Sequence, residues 1–145
     1  MTDEEVDAFL HERQTMNIAT FGPDGNIHLV AMWYGFIDGK PAFETFTKSQ
    51  KIKNLQRDPR ITVLVEDGDE YDHLRGVEIV GTATVTEDPE VVMPVARSVV
   101  DRYFGVENPD DLDAVAAGLA HKRSAVVIHA EKVVSWDHNK LGGTY

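Results

Sequence analysis

The segment 45–59, with the sequence TFTKSQKIKNLQRDP, combines a helix start with several basic side chains. Ser49 is a favoured N-cap residue, and Ile52 and Leu55 lie on one face of the helix that follows. The N–H groups and the partial positive charge at a helix start attract anions. The pattern predicts a phosphate cradle or, alternatively, a solvated amphipathic helix whose lysines face water. The basic residues concerned are Lys48, Lys51, Lys53 and Arg57.

Other motifs that carry chemistry are missing from the sequence. The six histidines do not show the spacing of metal ligands, so we predict no metal site. The glycines do not form a nucleophile elbow, a P-loop or a dinucleotide fingerprint. The aromatic residues Trp33, Tyr34 and Trp136 either stack on a planar ligand or belong to the core.

Length and charge limit the classes of protein to consider. A chain of 145 residues predicts one domain over residues 1–145. With 14 basic and 25 acidic residues, the net charge of −11 opposes binding to nucleic acid and to anionic membranes. There is no cysteine, which excludes disulfides and a cysteine nucleophile. The acidic N-terminus does not resemble a signal peptide and no apolar run is long enough to span a membrane, so we expect a cytoplasmic protein.

Alternating apolar residues predict strands that are mostly joined by short turns. Gly76 and Gly81 lie inside one of these strands, which indicates a bulge or the close approach of another group. The acidic stretch 67–72 is interpreted as a solvated turn. The strands are predicted at residues 15–21, 26–36, 41–47, 60–66, 75–86 and 124–136.

Helix signals flank and interrupt this series of strands. Thr2 and Glu5 have the spacing of a capping box, which predicts a first helix. Two further helices are predicted, one over residues 88–104 despite Pro94, and one capped by Asn108. Together the elements predict a mainly β, α+β protein in which a small antiparallel barrel carries flanking helices.

The order of these motifs resembles the pyridoxamine 5′-phosphate oxidase-like superfamily of flavin and deazaflavin oxidoreductases. The resemblance covers nearly the whole chain. It implies a split β-barrel of the FMN-binding type, with about six antiparallel strands, that forms homodimers and binds its cofactor in clefts between the subunits. The motifs that carry it are the hairpin, Thr45-Phe46-Thr47, Ser49-x-Lys51, Asn54-Leu55, Asp58-Pro59-Arg60 and the β-branched strand that follows.

Two later segments narrow the resemblance to the actinobacterial B group of flavin/deazaflavin oxidoreductases. They are 71–77 followed by Gly81-Thr82-Ala83, and Ser135-Trp136-Asp137-His138-x-Lys140-Leu141. This group includes users of coenzyme F-420, a deazaflavin whose tail carries a phosphate, a lactate and glutamates. The chain lacks the hairpin arginine and the arginine–histidine pair of the pyridoxamine phosphate oxidases, which puts that vitamin oxidase activity in doubt.

The resemblance also implies a set of cofactor-binding residues. Ser49 and Lys51 would hold the cofactor phosphate, because they match the Ser-x-Lys segment of the family. The preceding hairpin strand would line the ring. The remaining residues implied around phosphate, ring and cleft are Val30, Ala31, Met32, Trp33, Thr47, Lys48, Lys53, Arg57, Arg75, Gly76 and Val77, with Trp136 and Lys140 on the substrate side, where the partner subunit could supply them.

The leading hypothesis for function is a homodimeric reductase that transfers a hydride from reduced coenzyme F-420 to an unsaturated small molecule. Tyr34, His138 or bound water would protonate the product. One alternative is an FMN-dependent oxidoreductase with the same fold. Another is a binding protein that carries the cofactor, haem or a fatty acid without turnover.

Overall fold

Seven strands form one curled antiparallel sheet in the computed structural model, which describes residues 1–12 and 15–142. Across the sheet the strands follow the order β2-β1-β5-β6-β7-β4-β3. The mainly β, α+β split barrel predicted from the sequence is thereby confirmed as a half-barrel with flanking helices. The strands are β1 (Met16–Phe21), β2 (Ile27–Met32), β3 (Gly35–Ile37), β4 (Lys40–Phe46), β5 (Arg60–Asp67), β6 (Arg75–Thr86) and β7 (Arg123–Asp137).

The strand count exceeds the prediction of about six because one predicted strand is divided. Residues 26–36 form β2 and the short β3, which are separated at Trp33 and Tyr34. Of these two residues, Tyr34 is fully buried whereas Trp33 is 47% exposed. The chain leaves one edge of the sheet at this point and joins the opposite edge beside β4.

Within the described residues, four α-helices flank the sheet, as the sequence predicts. The capping box is confirmed, because Thr2 Oγ1 accepts the Glu5 N–H and the Thr2 N–H donates to the Glu5 carboxylate. Asn108 caps the last helix through the Asp110 N–H, and the third helix continues through Pro94. The helices are α1 (Asp3–Leu10), α2 (Gln50–Arg57), α3 (Pro89–Tyr103) and α4 (Pro109–Ala120).

The apolar core fixes α2 and α3 on opposite sides of β4. Phe43 lies inside the curl of the sheet with Ile52 and Leu55 of α2. Its neighbour Ala42 packs on the other side against Val95 of α3. Because successive strand residues face opposite sides, β4 connects the two helices and holds the start of α2 at its own end.

The two glycines inside β6 have the roles that the sequence indicated. Gly81 follows a bulge, and a Cβ there would lie 2.0 Å from the His129 carbonyl oxygen. Gly76 pairs with Trp136, and a Cβ there would lie 2.1 Å from Cζ2 of the indole. One glycine therefore permits the close approach of backbone and the other the close approach of an aromatic ring.

The acidic stretch 67–72 is more structured than the predicted solvated turn. Asp67 ends β5 and forms an ion pair with Arg75, and residues Tyr71–His73 form a short 3-10 helix. In the part of the chain that the structure describes, no helix combines the length and apolar character needed to cross a membrane. The cytoplasmic location stays a prediction.

Candidate functional site

Ser49 occupies the N-cap of α2 in an extended conformation, as predicted, but its hydroxyl does not cap the helix. The Ser49 Oγ is buried and has no hydrogen-bond partner among the described residues. A buried hydroxyl without a partner costs about 1–3 kcal/mol. An acceptor at this helix start, such as a phosphate oxygen, would satisfy the hydroxyl as well as the adjacent backbone N–H groups.

Lys51 lies in the first turn of α2 and is half-buried. Its Nζ donates a hydrogen bond of 3.0 Å to Thr45 Oγ1 on β4. Burial lowers the pKa of Lys51 below its usual value, the nearby charge of Arg123 lowers this pKa further, and Glu44 opposes the change. Because the charged form of Lys51 is disfavoured here, an anion placed beside it would be strongly stabilised.

Arg123 and the buried Glu44 form an ion pair next to Lys51 that no pattern in the sequence predicted. The Arg123 guanidinium donates to Glu44 Oε2 at 2.8 Å, and Glu44 is only 5% exposed. Burial raises the pKa of Glu44, and the attraction of Arg123 opposes this shift. The guanidinium also lies 4.4 Å from the centre of the Phe46 ring. The pair spans 79 residues of sequence, so no local pattern connects its members.

One cleft connects the predicted ring-binding segment with this ion pair. It has a volume of about 380 Å³ and contains Ala31, Met32 and Trp33 together with Glu44 and Arg123. The structure therefore brings together two groups of residues that lie far apart in the sequence. Its other lining residues are Thr15, Val99 and Leu119.

Trp33 is held at the edge of this cleft by other aromatic rings. Its ring stacks on Tyr103 with centroids 4.9 Å apart, and Phe104 meets it edge-on. Val30 and Met32 both pack against the core cluster inside the sheet, and Met32 also borders the cleft, whereas Val30 does not line it. Of the four predicted ring-lining residues, Ala31, Met32 and Trp33 thus border the cleft.

The remaining basic residues of segment 45–59 divide between the two ends of α2. Lys48 and Lys53 are exposed. Arg57 lies at the C-terminal end of the helix and donates to the Phe21 carbonyl oxygen at 2.7 Å. Thr47 lies beside the helix start, where its Oγ1 accepts a hydrogen bond from Ser124. The structure therefore groups Thr47 and Lys48 with Ser49 and Lys51, and it places Arg57 elsewhere.

Arg75, which was predicted to close the cleft, is held by two acidic side chains. Its guanidinium donates to both Glu12 oxygens, at 3.0 and 2.9 Å, and to Asp67 at 2.6 Å. It also lies 4.8 Å from the centre of the Phe9 ring. These contacts give Arg75 a structural role that the sequence did not indicate, since its partners come from separate elements.

The other residues predicted around Arg75 are also engaged within the chain. Gly76 lies directly against the Trp136 indole, and Val77 is fully buried in the core. The Lys140 Nζ lies 2.6 Å from the Glu5 carboxylate. These residues lie near the end of β7, whereas Arg123 begins it. A strand of fifteen residues is about 45 Å long, so one chain does not bring the two groups together.

The two predicted proton donors occupy different environments. Tyr34 is fully buried, donates its hydroxyl hydrogen to the Leu10 carbonyl oxygen at 2.5 Å, and has a pKa that burial raises to about 12. These contacts argue against proton donation by Tyr34. His138 is half-buried, and its Nδ1 lies 2.7 Å from the Tyr71 carbonyl oxygen. Within residues 1–12 and 15–142, no group of three or more acidic or histidine side chains is arranged to hold a metal ion.

Comparison with known proteins identifies the family. The family model described as pyridoxamine 5′-phosphate oxidase matches residues 2–137. The chain belongs to this family. Members of the family bind flavin-type cofactors and include oxidoreductases.

Solved structures show how widely this fold is used. A conserved hypothetical protein from Mycobacterium tuberculosis is 46% identical, with a TM-score of 0.93 over 100% of this chain and 90% of that chain. A protein described as an F420 reductase is 26% identical, with a TM-score of 0.65 over 88% and 94% of the two chains. The haem storage protein HutZ from Vibrio cholerae, 14% identical with a TM-score of 0.70 over 93% of each chain, shares the fold. No curated protein sequence matches the chain.

Proposed function

We propose that this protein is a reductase that uses coenzyme F-420 to reduce an unsaturated small molecule such as a conjugated enone. The observation that carries the proposal is the buried, unsatisfied Ser49 hydroxyl beside the half-buried Lys51, at one end of a site whose other end is the cleft of Ala31, Met32 and Trp33. The similarity to the F420 reductase favours a deazaflavin over other flavin-type cofactors.

The residues present fit the phosphate of such a cofactor. Ser49 Oγ and the first N–H groups of α2 would donate to the phosphate oxygens, and Lys51 would supply a positive charge. A phosphate would also raise the pKa of Lys51 back toward its usual value, because it offsets the burial that lowers it. Protonation of Lys51 and binding of the phosphate are therefore expected to favour each other.

The side chains of the cleft would then orient the ring and exclude water from it. The bound, reduced deazaflavin would supply the hydride. Ala31 and Met32 present an apolar surface, and Trp33 is fixed by its stacking on Tyr103. Arg123, held by Glu44, would stabilise the negative charge that develops on the oxygen of an enone as it accepts a hydride.

The same proposal includes a homodimer. The outer face of the sheet exposes apolar side chains, with Leu29 67%, Ile27 56% and Val134 38% exposed. A second copy of the chain that covered this face in a two-fold arrangement would bury them. The end of β7 in the partner, with Trp136 and His138, would then be available to complete a site that one chain leaves divided. Sedimentation as a monomer at micromolar concentration would contradict this part of the proposal.

The test is a fluorescence titration of the purified protein with coenzyme F-420 and, in parallel, with FMN. We expect tight binding of the deazaflavin and weak binding of FMN. A conjugated enone such as cyclohexenone is then added to the protein loaded with reduced coenzyme F-420, and oxidation of the cofactor is followed by absorbance. The reverse preference would identify an FMN-dependent protein of this family. Tight deazaflavin binding without turnover of enones or nitro compounds would identify a carrier, and failure to bind either would refute the proposal.

A further inference from the structure

The cleft next to Trp33 is mostly apolar, but it contains one pair of opposite charges. Among the described residues that border it, Glu44 and Arg123 alone are charged. Val99 of α3 and Leu119 of α4 add apolar surface from the helices. A ligand in this cleft therefore meets a charge pair within apolar surroundings.

Glu44 cancels the charge of Arg123 inside the cleft. The two side chains are joined by a hydrogen bond of 2.8 Å, and Glu44 is buried, so water and salt screen the pair weakly. A ligand carboxylate beside the pair would meet one attractive and one repulsive charge, and it would also lose its hydration. The cleft therefore offers a carboxylate little to offset the cost of leaving water.

A neutral carbonyl oxygen suits the same pair, because it needs only a hydrogen-bond donor. A guanidinium has five N–H groups, and in the described part of the chain one of its nitrogens, Nη1 of Arg123, donates to Glu44. Donors of Arg123 are thus left for a ligand. The carbonyl oxygen also costs less to remove from water than a carboxylate does.

Aromatic rings at the edge of the cleft favour a planar ligand. The planes of Trp33 and Tyr103 are 4° apart, and Phe104 meets the indole at 79°. Trp33 remains 47% exposed and Phe104 45% exposed. A ligand with its own aromatic ring would cover this exposed surface and extend the group of rings.

Lys51 is a nearby cation that does not line the cleft. Its charge acts on Glu44, and it would raise the local charge above zero if nothing offset it. The proposed cofactor phosphate lies at Lys51 and would offset that charge. With the phosphate bound, Arg123 and Glu44 remain as a pair without net charge.

We propose that this cleft selects neutral, planar carbonyl compounds conjugated to an aromatic ring, and that Glu44 determines this specificity by neutralising Arg123. The compound would lie beside the cofactor ring, with its oxygen at Arg123. The inference rests on the proposed function and narrows its substrate class. It gives Glu44 a role in excluding carboxylates from the cleft.

The test compares two probes with the same planar body, benzylideneacetone, which is a neutral enone, and cinnamate, which carries a carboxylate instead. Their binding is measured by equilibrium dialysis in phosphate buffer, with and without oxidised coenzyme F-420. Phosphate in the buffer offsets the charge of Lys51 when the cofactor is absent. We expect the neutral probe to bind roughly tenfold more tightly or better. The enone 3-penten-2-one, which lacks the aromatic ring, should bind roughly tenfold more weakly than benzylideneacetone.

Glu44→Gln tests the role of the charge at nearly constant size. Arg123 could then form a charge-assisted hydrogen bond with a ligand carboxylate, so cinnamate should bind roughly ten- to hundredfold more tightly than to the wild type. The affinity for benzylideneacetone should change little. Glu87→Gln is the matched control, because Glu87 is exposed and does not line this cleft, yet the variant has the same net charge. It should alter the affinity for neither probe.

The inference is refuted if benzylideneacetone does not bind, or if cinnamate binds the wild type as tightly. This comparison needs no variant, so it stands even where Glu44→Gln fails to fold. A folded Glu44→Gln protein that keeps the wild-type preference would also refute it. Displacement of benzylideneacetone by oxidised coenzyme F-420 would do the same, because the probe would then occupy the place of the cofactor ring.

The dialysis without cofactor separates this inference from the proposed function. A protein that prefers the neutral probe but binds no deazaflavin would support the selectivity of the cleft and refute the reductase. A protein that binds coenzyme F-420 but prefers cinnamate would do the reverse.

Discussion

The two ends of β7 hold basic side chains in contrasting environments. At its end, Arg75 contacts Glu12 and Asp67, and Lys140 contacts Glu5, with distances of 2.6–3.0 Å. At its start, Arg123 is paired with Glu44 as well, but Lys51 is half-buried and its hydrogen bond goes to the neutral Thr45 hydroxyl. Arg75 and Lys140 therefore have charged partners, whereas the hydrogen-bond partner of Lys51 is neutral.

The difference teaches that the partners of a cation, rather than its position in a motif, indicate whether it can bind a ligand. A guanidinium that already forms three charged hydrogen bonds gains little from an added anion. A lysine that burial has made less basic gains much more, because an anion restores the stability of its charged form. On this basis the start of β7 is the better candidate for cofactor binding within one chain.

The largest effect that separates the two regions is expected from Lys51→Ala. Loss of a charge-assisted hydrogen bond of about 1.5–3 kcal/mol predicts a roughly ten- to hundredfold weaker affinity for coenzyme F-420. The dissociation constant is measured by fluorescence titration. Lys53→Ala is the control, because Lys53 is exposed. It lies two residues after Lys51, which places it on the opposite side of α2. Equal losses in both variants would show that only the general charge of the helix matters.

A second experiment tests whether the end of β7 is structural. Gly76→Ala places a methyl group against the Trp136 indole and should destabilise the fold by about 1–3 kcal/mol, as overpacked cores do. Gly118→Ala in α4 is the control, because nothing lies within 4 Å of its new Cβ and alanine favours a helix. The free energy of unfolding is measured in urea. If Gly76→Ala were as stable as the wild type, the packing of Trp136 on this strand would be in doubt.

The smallest of these effects is expected from Arg75→Ala, and it should depend on pH. Arg75 holds the pKa of Asp67 below its usual value of 3.8. The stability that this pair contributes is therefore complete above about pH 4 and is lost as the pH falls through the folded-state pKa of Asp67.

The measurement for Arg75→Ala is the melting temperature from pH 7 down to pH 2. The wild type should melt at a higher temperature at neutral pH, and the difference should shrink in acid. The affinity of the folded variant for coenzyme F-420 should stay unchanged. A large loss of affinity would return Arg75 to the cofactor site that the sequence analysis assigned to it.

Local rules were sufficient to predict much of the fold. The Thr2 capping box, the Asn108 cap and the glycines of β6 each act through neighbours in sequence or on the adjacent strand, and the structure confirms them. Tyr34 shows the limit of such rules. An aromatic residue after a strand can serve a ligand or the core, and only the contact with Leu10 shows that it serves the core.

The local part of the candidate site could be predicted from the sequence, but its long-range contacts could not. Ser49 and Lys51 belong to a short motif, so their placement at a helix start follows from the sequence. Arg123 and Glu44 were not predictable, because their ion pair connects β7 to β4 across 79 residues. The residues that complete the cleft can therefore be identified only from the folded structure.

The sequence by itself determined the class of fold, the order of its elements and the position of the helix start that would receive a phosphate, because these depend on residue types and their spacing. The tertiary structure alone decided which basic side chains are neutralised by acids and which face a cleft. Charges interact through space, and the curl of the sheet sets their distances. The difference between Lys51, which has a neutral hydrogen-bond partner, and Arg75, which has acidic partners, is therefore a property of the folded chain.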